Sequence, residues 1–81
     1  MLTTEVGKKV VDRICEYLVV NEGDIKLEST LERDLESDML DRMELFCALE
    51  EDFNIFINDD DEEKIITVKD LIKTIERLRQ E

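Results

Sequence analysis

The sequence predicts an all-α domain of four helices, with three longer helices, a short third helix and a long first loop. The 81 residues contain no proline and only two glycines, which disfavours a turn-rich β protein. Apolar side chains recur at three- and four-residue spacing in three separate segments, as on the buried face of a helix. The length allows a single domain, residues 1–81, with one aliphatic core.

The first helix is predicted over residues 4–20. Thr3 or Thr4 can cap its start, because a threonine oxygen accepts a hydrogen bond from a free backbone N–H of the first turn. Gly23 is expected to end it, since glycine readily adopts the left-handed backbone of a helix end. The expected buried residues are Val6, Val10, Val11, Ile14, Cys15 and Leu18.

The first loop, residues 21–37, lacks sustained periodicity but places aliphatic side chains at regular intervals. These side chains are Ile25, Leu27, Leu31 and Leu35. A long connection with such side chains is expected to be held across the bundle, as extended chain with one short turn.

The second helix is predicted over residues 39–53. Asp38 can cap its start, and Asp41 follows three residues later in the first turn. The expected buried side contains Leu40, Met43, Phe46, Cys47, Leu49 and Phe53, and the opposite side Asp41, Glu44, Glu50 and Glu51.

Two further helices follow. The segment "NDDDEEKII" begins with acids and ends near Lys64, the charge order that suits the dipole of a short helix. The segment "TVKD", from Thr67 to Asp70, is a capping box that opens the last helix. The core face of that helix is predicted to be Val68, Leu71, Ile72, Ile75 and Leu78.

The formal net charge of −12 lies entirely in the middle of the chain. Residues 34–63 hold 13 acidic residues and one basic residue, Arg42, which gives −12 for this segment alone. Such a segment repels nucleic-acid phosphates and attracts basic protein surfaces. We therefore expect no nucleic-acid partner and interpret the acidic segment as a protein-docking face.

The residue types disfavour catalysis and metal binding. The chain has no histidine, no glycine-rich phosphate loop and no serine in a "GxSxG" motif. A calcium loop starting at Asp59 would place Lys64 where glycine is needed for the sharp turn. We predict a protein that is not an enzyme, with no catalytic residues and no metal site.

The cysteines and the hydropathy indicate the compartment. Cys15 and Cys47 occupy positions expected to face the core, and we interpret them as reduced, buried thiols without a disulfide. No segment has the apolar length of a membrane span, and the N-terminus does not read as a signal peptide. We expect a cytoplasmic monomer.

Residues 34–72, "DLESDMLDRMELFCALEEDFNIFINDDDEEKIITVKDLI", resemble the core of the acyl carrier protein family without a gap. "VGKKVVDRICEYL" and "STLERDL" also resemble that family's first helix and long loop, so the resemblance covers almost the whole chain. It implies a four-helix bundle with a short third helix, and partners among the enzymes of fatty acid or polyketide-type acyl metabolism.

The resemblance also implies a site. In the family, the serine after the aspartate at position 38 carries phosphopantetheine, attached by a phosphopantetheinyl transferase, and the acidic second helix meets basic patches on partner enzymes. Here Met39 stands at the serine position, Glu36 replaces the usual glycine, and Ser37 stands where alanine is common. The partner-binding residues implied are Asp38, Leu40, Asp41, Met43, Glu44, Glu50 and Glu51.

Because a thioether cannot form a phosphodiester, three hypotheses remain open. The first is a docking module without a phosphopantetheine arm, because Met39 cannot carry that group. The second is a genuine carrier of thioester-bound acyl chains, modified at Ser37 or with Met39 as an engineered replacement of the acceptor serine. The third is an acidic adaptor subunit unrelated to acyl transport.

Overall fold

The computed structural model describes residues 4–80 and confirms the all-helical fold. Helix α1 spans Glu5–Tyr17, α2 spans Met39–Phe53, α3 spans Asp59–Lys64 and α4 spans Val68–Arg79, and a 3-10 turn, Glu22–Asp24, lies in the first loop. Helix α1 packs against both α2 and α4. Within the described range there is no β-strand, and no helix is long and apolar enough to cross a membrane.

Among residues 4–80, seventeen buried apolar residues form one core, and the first loop contributes to it as the helices do. They are Val6, Val10, Val11, Ile14, Leu18, Ile25, Leu31, Leu35, Leu45, Phe46, Leu49, Ile57, Ile65, Val68, Leu71, Ile72 and Ile75. The core is aliphatic except for one phenylalanine, as the composition predicts. Leu27, Phe53 and Leu78 are half-buried and pack against it.

Helix α1 begins as predicted but ends earlier. The Thr4 hydroxyl accepts a hydrogen bond from the Gly7 N–H at 2.9 Å, whereas Thr3 lies outside the described residues. The prediction that Gly23 ends the helix is wrong, because the backbone is already extended at Leu18, with φ of −117°. Extended chain points alternate side chains in opposite directions, so Leu18 enters the core while Val19 faces solvent. Gly23 lies in the 3-10 turn and its φ is not positive.

The first loop is held across the start of α4, as predicted. The Leu31 N–H donates to the Ile66 carbonyl at 3.0 Å. In return, the N–H groups of Val68 and Lys69 donate to loop carbonyls at 3.0 and 2.9 Å. These two N–H groups belong to the first turn of a helix and have no partner within it, so the loop satisfies them.

The capping box predicted for α4 is confirmed, and α3 also begins at a side-chain cap. The Asn58 side chain accepts from the Asp61 N–H at 2.7 Å, and the Thr67 hydroxyl accepts from the Asp70 N–H at 3.1 Å. The Asp70 carboxylate accepts in turn from the N–H groups of Thr67 and Ile66. Burial alone would raise the pKa of Asp70, but these hydrogen bonds to its charged form hold the pKa below its ordinary value.

Helix α2 has the predicted bounds but turns a different face to the core. Phe46 and Leu49 are buried as expected, and Leu45 is buried with them. The prediction that Leu40, Met43 and Cys47 face the core is wrong, since all three are exposed. Apolar residues occur on more than one side of this helix, so their spacing alone does not select the buried side.

An ion pair joins α1 to α2. The Arg13 guanidinium donates from Nε and Nη2 to the two carboxylate oxygens of Asp52, at 2.6 and 2.7 Å. This two-point geometry is the strongest form of an arginine–carboxylate pair. Hydrogen bonding to Arg13 holds the pKa of Asp52 below its ordinary value despite opposing desolvation.

The Asp52→Asn variant should therefore differ from the parent in how its stability depends on pH. A carboxylate with a depressed pKa stabilises the fold fully above its unfolded pKa, about 3.9. That contribution is lost as the pH falls through the lower, folded pKa. Urea unfolding at a series of pH values should show a constant stability difference above about pH 5 that shrinks below about pH 4.

The matched control removes the partner instead of the carboxylate. In an Arg13→Met background, the stability difference between Asp52 and its asparagine variant should no longer shrink in this way at low pH. The largest cause of the pKa depression is then gone, and desolvation, which raises the pKa, is opposed only by Lys9. Parallel curves for the parent and Asp52→Asn would show that the ion pair does not act as described.

Candidate functional site

The start of α2 is fixed by two reciprocal hydrogen bonds. The Asp38 carboxylate accepts from the Asp41 N–H at 2.8 Å, and the Asp41 carboxylate accepts from the Asp38 N–H at 3.2 Å. This capping box satisfies N–H groups that the helix leaves free. Two of the predicted partner-binding carboxylates therefore also define where the helix begins.

Met39 is the first residue of α2, and its side chain is 71% exposed. The position is accessible to an enzyme, and it lies at the positive end of the helix dipole. Its thioether has no hydroxyl, so it cannot form an ester with a phosphate. Met39 thus combines an exposed position at a helix start with a side chain that cannot be esterified.

Ser37, the alternative acceptor, points into the first loop. It is only 4% exposed, and its hydroxyl donates to the Leu31 carbonyl at 2.6 Å. The Ser37 N–H donates to the same carbonyl at 3.0 Å. A transferase would have to open the loop and break the hydroxyl hydrogen bond to reach this oxygen.

Glu36 precedes these residues with a left-handed backbone, φ of 53°. Residues with a side chain rarely adopt this conformation, which costs roughly 1–2 kcal/mol relative to the right-handed one. The family that the sequence resembles has glycine at this position, and glycine adopts a positive φ without strain. The structure supplies the physical reason for that preference.

The Glu36→Gly variant is expected to be more stable than the parent by about 0.5–1 kcal/mol. Relief of the left-handed strain exceeds the roughly 0.5–1 kcal/mol that glycine's greater freedom in the unfolded chain costs. Urea unfolding measures the difference. Glu32→Gly is the matched control, an exposed glutamate of the same loop whose φ is not positive, and it should lose stability.

The exposed face of α2 carries apolar, sulfur-containing and acidic side chains together. We call this face, which consists of Met39, Leu40, Met43, Glu44, Cys47 and Glu51, the α2 surface. Leu40 is 62% exposed and Met43 is 53% exposed, both unusually high for large apolar side chains. An apolar centre with charged neighbours is the composition expected of a protein-binding site.

A groove of about 430 Å³ runs along this face between α1 and α2. Its lining residues are Arg13, Tyr17, Leu40, Met43, Glu44, Cys47, Ala48 and Glu51. The structure thus brings together four of the seven predicted partner-binding residues, Leu40, Met43, Glu44 and Glu51. Sequence reasoning missed the contribution of Arg13 and Tyr17, since nothing in the sequence shows which helix their side of α1 faces.

Glu50 does not share this surface. Its side chain is half-buried, and its carboxylate accepts from the Ile57 N–H at 2.8 Å. This hydrogen bond joins the end of α2 to the connection that leads to α3. Of the predicted partner-binding residues, Glu50 is the one whose charge is directed into the protein.

The two cysteines are both free, and they differ in environment. Cys47 is exposed on the α2 surface, so the prediction of a buried thiol is wrong for this residue. Cys15 is half-buried, and desolvation together with Glu22 and Asp12 raises the pKa of its thiol. A raised pKa keeps the thiol protonated and therefore poorly reactive.

A second groove, of about 500 Å³, lies beside Arg42. Its lining residues are Glu32, Arg42, Asp59, Glu62, Glu63, Ile65 and Ile66. The four carboxylates give it an acidic character despite the arginine. Across residues 4–80, no three histidine, cysteine, aspartate or glutamate side chains are grouped so that they could hold a metal ion.

Sequence comparison relates the chain to a known protein. No protein-family model matches the chain. An acyl carrier protein of Campylobacter hominis is 42% identical to it over 76 residues, which cover 94% of this chain and 96% of the relative. At that identity and coverage, the similarity extends over almost the whole chain.

Proposed function

Because the chain belongs to the acyl carrier protein family, we propose that it acts as a non-catalytic docking module for enzymes of acyl metabolism, without an arm of its own. Family membership implies a phosphopantetheine group, but the residues present here do not fit it. Docking then takes place through the α2 surface, on a cytoplasmic monomer. The partners are enzymes of fatty acid or polyketide-type metabolism that present basic patches.

The observation that carries the proposal is the side chain at position 39. An exposed thioether occupies the start of α2, where the family has its acceptor hydroxyl. The hydroxyl nearest in the sequence, that of Ser37, is buried and hydrogen-bonded within the loop. Neither side chain offers a free oxygen for a phosphodiester.

Two features support docking as the remaining function. Glu44 and Glu51 are exposed, and neither is used in a cap or a loop contact. Their charges attract lysine and arginine side chains and accelerate encounter with a basic surface. Leu40 and Met43 beside them offer apolar area that a partner can cover.

Charge reversal tests the docking proposal. The Glu44→Lys/Glu51→Lys variant should bind a broad-specificity phosphopantetheinyl transferase roughly tenfold to a hundredfold more weakly at low salt. These residues are preferred to Asp38 and Asp41, because substitution of either aspartate would also break the cap of α2. Surface plasmon resonance across a salt series measures the loss, which should diminish as salt screens the charges.

The control variant changes the net charge by the same amount elsewhere. Asp24→Lys/Glu28→Lys alters two exposed acids of the first loop, outside the α2 surface. If both double variants lose affinity equally, overall charge and not the α2 surface governs binding. Salt-insensitive binding by the parent would also contradict the proposal, because binding through charged side chains weakens as salt screens them.

A further inference from the structure

Three sulfur-containing side chains follow one another along the α2 surface. Met39, Met43 and Cys47 are separated by four residues each, and all three are exposed. Side chains four apart on a helix are neighbours, with about 5–6 Å between their Cβ atoms. Within residues 4–80, Met39 and Met43 are the two methionines.

The described core contains no sulfur atom, since all seventeen of its residues are valine, isoleucine, leucine or phenylalanine. Chemistry at the described methionines therefore changes the surface without entering the packed interior. Leu40 lies beside the pair, and Met43 lines the groove between α1 and α2. The methionines make up much of the apolar area of the α2 surface.

A hydroperoxide oxidises an exposed methionine to its sulfoxide. The oxygen–oxygen bond of the peroxide breaks, one oxygen atom forms a bond to sulfur, and the remainder leaves as water when the oxidant is hydrogen peroxide. Sulfur loses two electrons and the peroxide gains them. The product is polar and chiral where the thioether was apolar, so it opposes burial in an interface.

We propose that Met39 and Met43 form an oxidation site that weakens docking of the α2 surface while leaving the fold intact. This inference rests on the docking function proposed above. Because both side chains face solvent, their sulfoxides remain hydrated in the free protein. The unfavourable desolvation arises only when a partner covers them, so oxidation acts on binding and not on folding.

The experiment uses the full chain with Cys47→Ser, which removes the exposed thiol as a competing site. The protein is treated with hydrogen peroxide, and peptide mass mapping locates the added oxygen atoms. Affinity for the broad-specificity phosphopantetheinyl transferase is then measured before and after treatment. We expect sulfoxides at residues 39 and 43, an unchanged urea midpoint, and roughly tenfold weaker binding.

The matched variant is Met39→Leu/Met43→Leu in the same background. Leucine keeps an apolar side chain of similar volume but cannot be oxidised. Whatever the affinity of this variant, peroxide should not change it. An equal loss of binding in the leucine variant would place the damage elsewhere and overturn the proposal.

Three other results would also count against it. The first is full oxidation of both methionines with unchanged affinity. The second is a lowered urea midpoint, which would trace weaker binding to loss of fold. The third is resistance of both residues to a peroxide dose that oxidises free methionine. If the untreated protein does not bind the transferase at all, the docking function itself is wrong, a result separable from these three.

Discussion

The Met39→Ser variant, incubated with coenzyme A and a broad-specificity phosphopantetheinyl transferase, should gain the mass of one phosphopantetheine arm. The substitution places a hydroxyl at the exposed first position of α2, between the retained Asp38 and Leu40. A serine oxygen can form the phosphodiester that a thioether cannot. Intact-mass spectrometry should show conversion of the variant and none of the parent.

The double variant Met39→Ser/Ser37→Ala is the control for position. It should gain the arm equally well, because the new hydroxyl and not the buried one is the acceptor. An arm mapped to Ser37 in the parent would overturn the proposal that this protein carries none, and would establish the carrier hypothesis. If neither the parent nor Met39→Ser is modified, the transferase does not recognise the α2 surface. That result would favour the hypothesis of an acidic adaptor unrelated to acyl transport.

The largest expected effect on stability distinguishes two leucines of the same helix. Leu45 is fully buried, and Leu45→Ala should lower the free energy of unfolding by about 2–5 kcal/mol through lost burial and a residual cavity. Leu40 is mostly exposed, and Leu40→Ala should change it by less than about 0.5 kcal/mol. Urea unfolding of both variants measures the contrast.

That contrast is large for a domain of this size. Small proteins are stable by roughly 0.05–0.15 kcal/mol per residue, so the loss at Leu45 would be a considerable fraction of the total. Equal losses at the two positions would mean that α2 is rotated relative to the orientation described here. A larger loss of unfolding free energy at Leu40 would show that the side of α2 expected from the sequence is the one that faces the core.

Local chemistry accounts for the features that could be predicted. The caps at Asp38, Asn58 and Thr67 depend on side chains within three residues of the N–H groups they satisfy, so a short stretch of sequence contains the whole interaction. The core face of α4 is equally clear, because its apolar residues occupy one side only. Glu44 and Glu51 are exposed because charged side chains are seldom buried without a partner.

Long-range packing accounts for the features that could not be predicted. Ser37 is buried because the loop folds back on the Leu31 carbonyl, six residues away. Glu50 is removed from the docking face because the Ile57 N–H lies within reach of its carboxylate. Helix α1 ends where Leu18 packs into the core. No glycine or proline at that point of the sequence marks the end.

The sequence by itself determined the family pattern, the four helices with most of their boundaries, and the absence of a hydroxyl at position 39. Each of these follows from residue identity or from neighbours a few positions away. Only the tertiary structure decided which side of α2 is buried, and with it the exposure of Leu40, Met43 and Cys47. Helix α2 has apolar residues on several sides, and its packing against α1 and the rest of the core decides which of them are buried away from water.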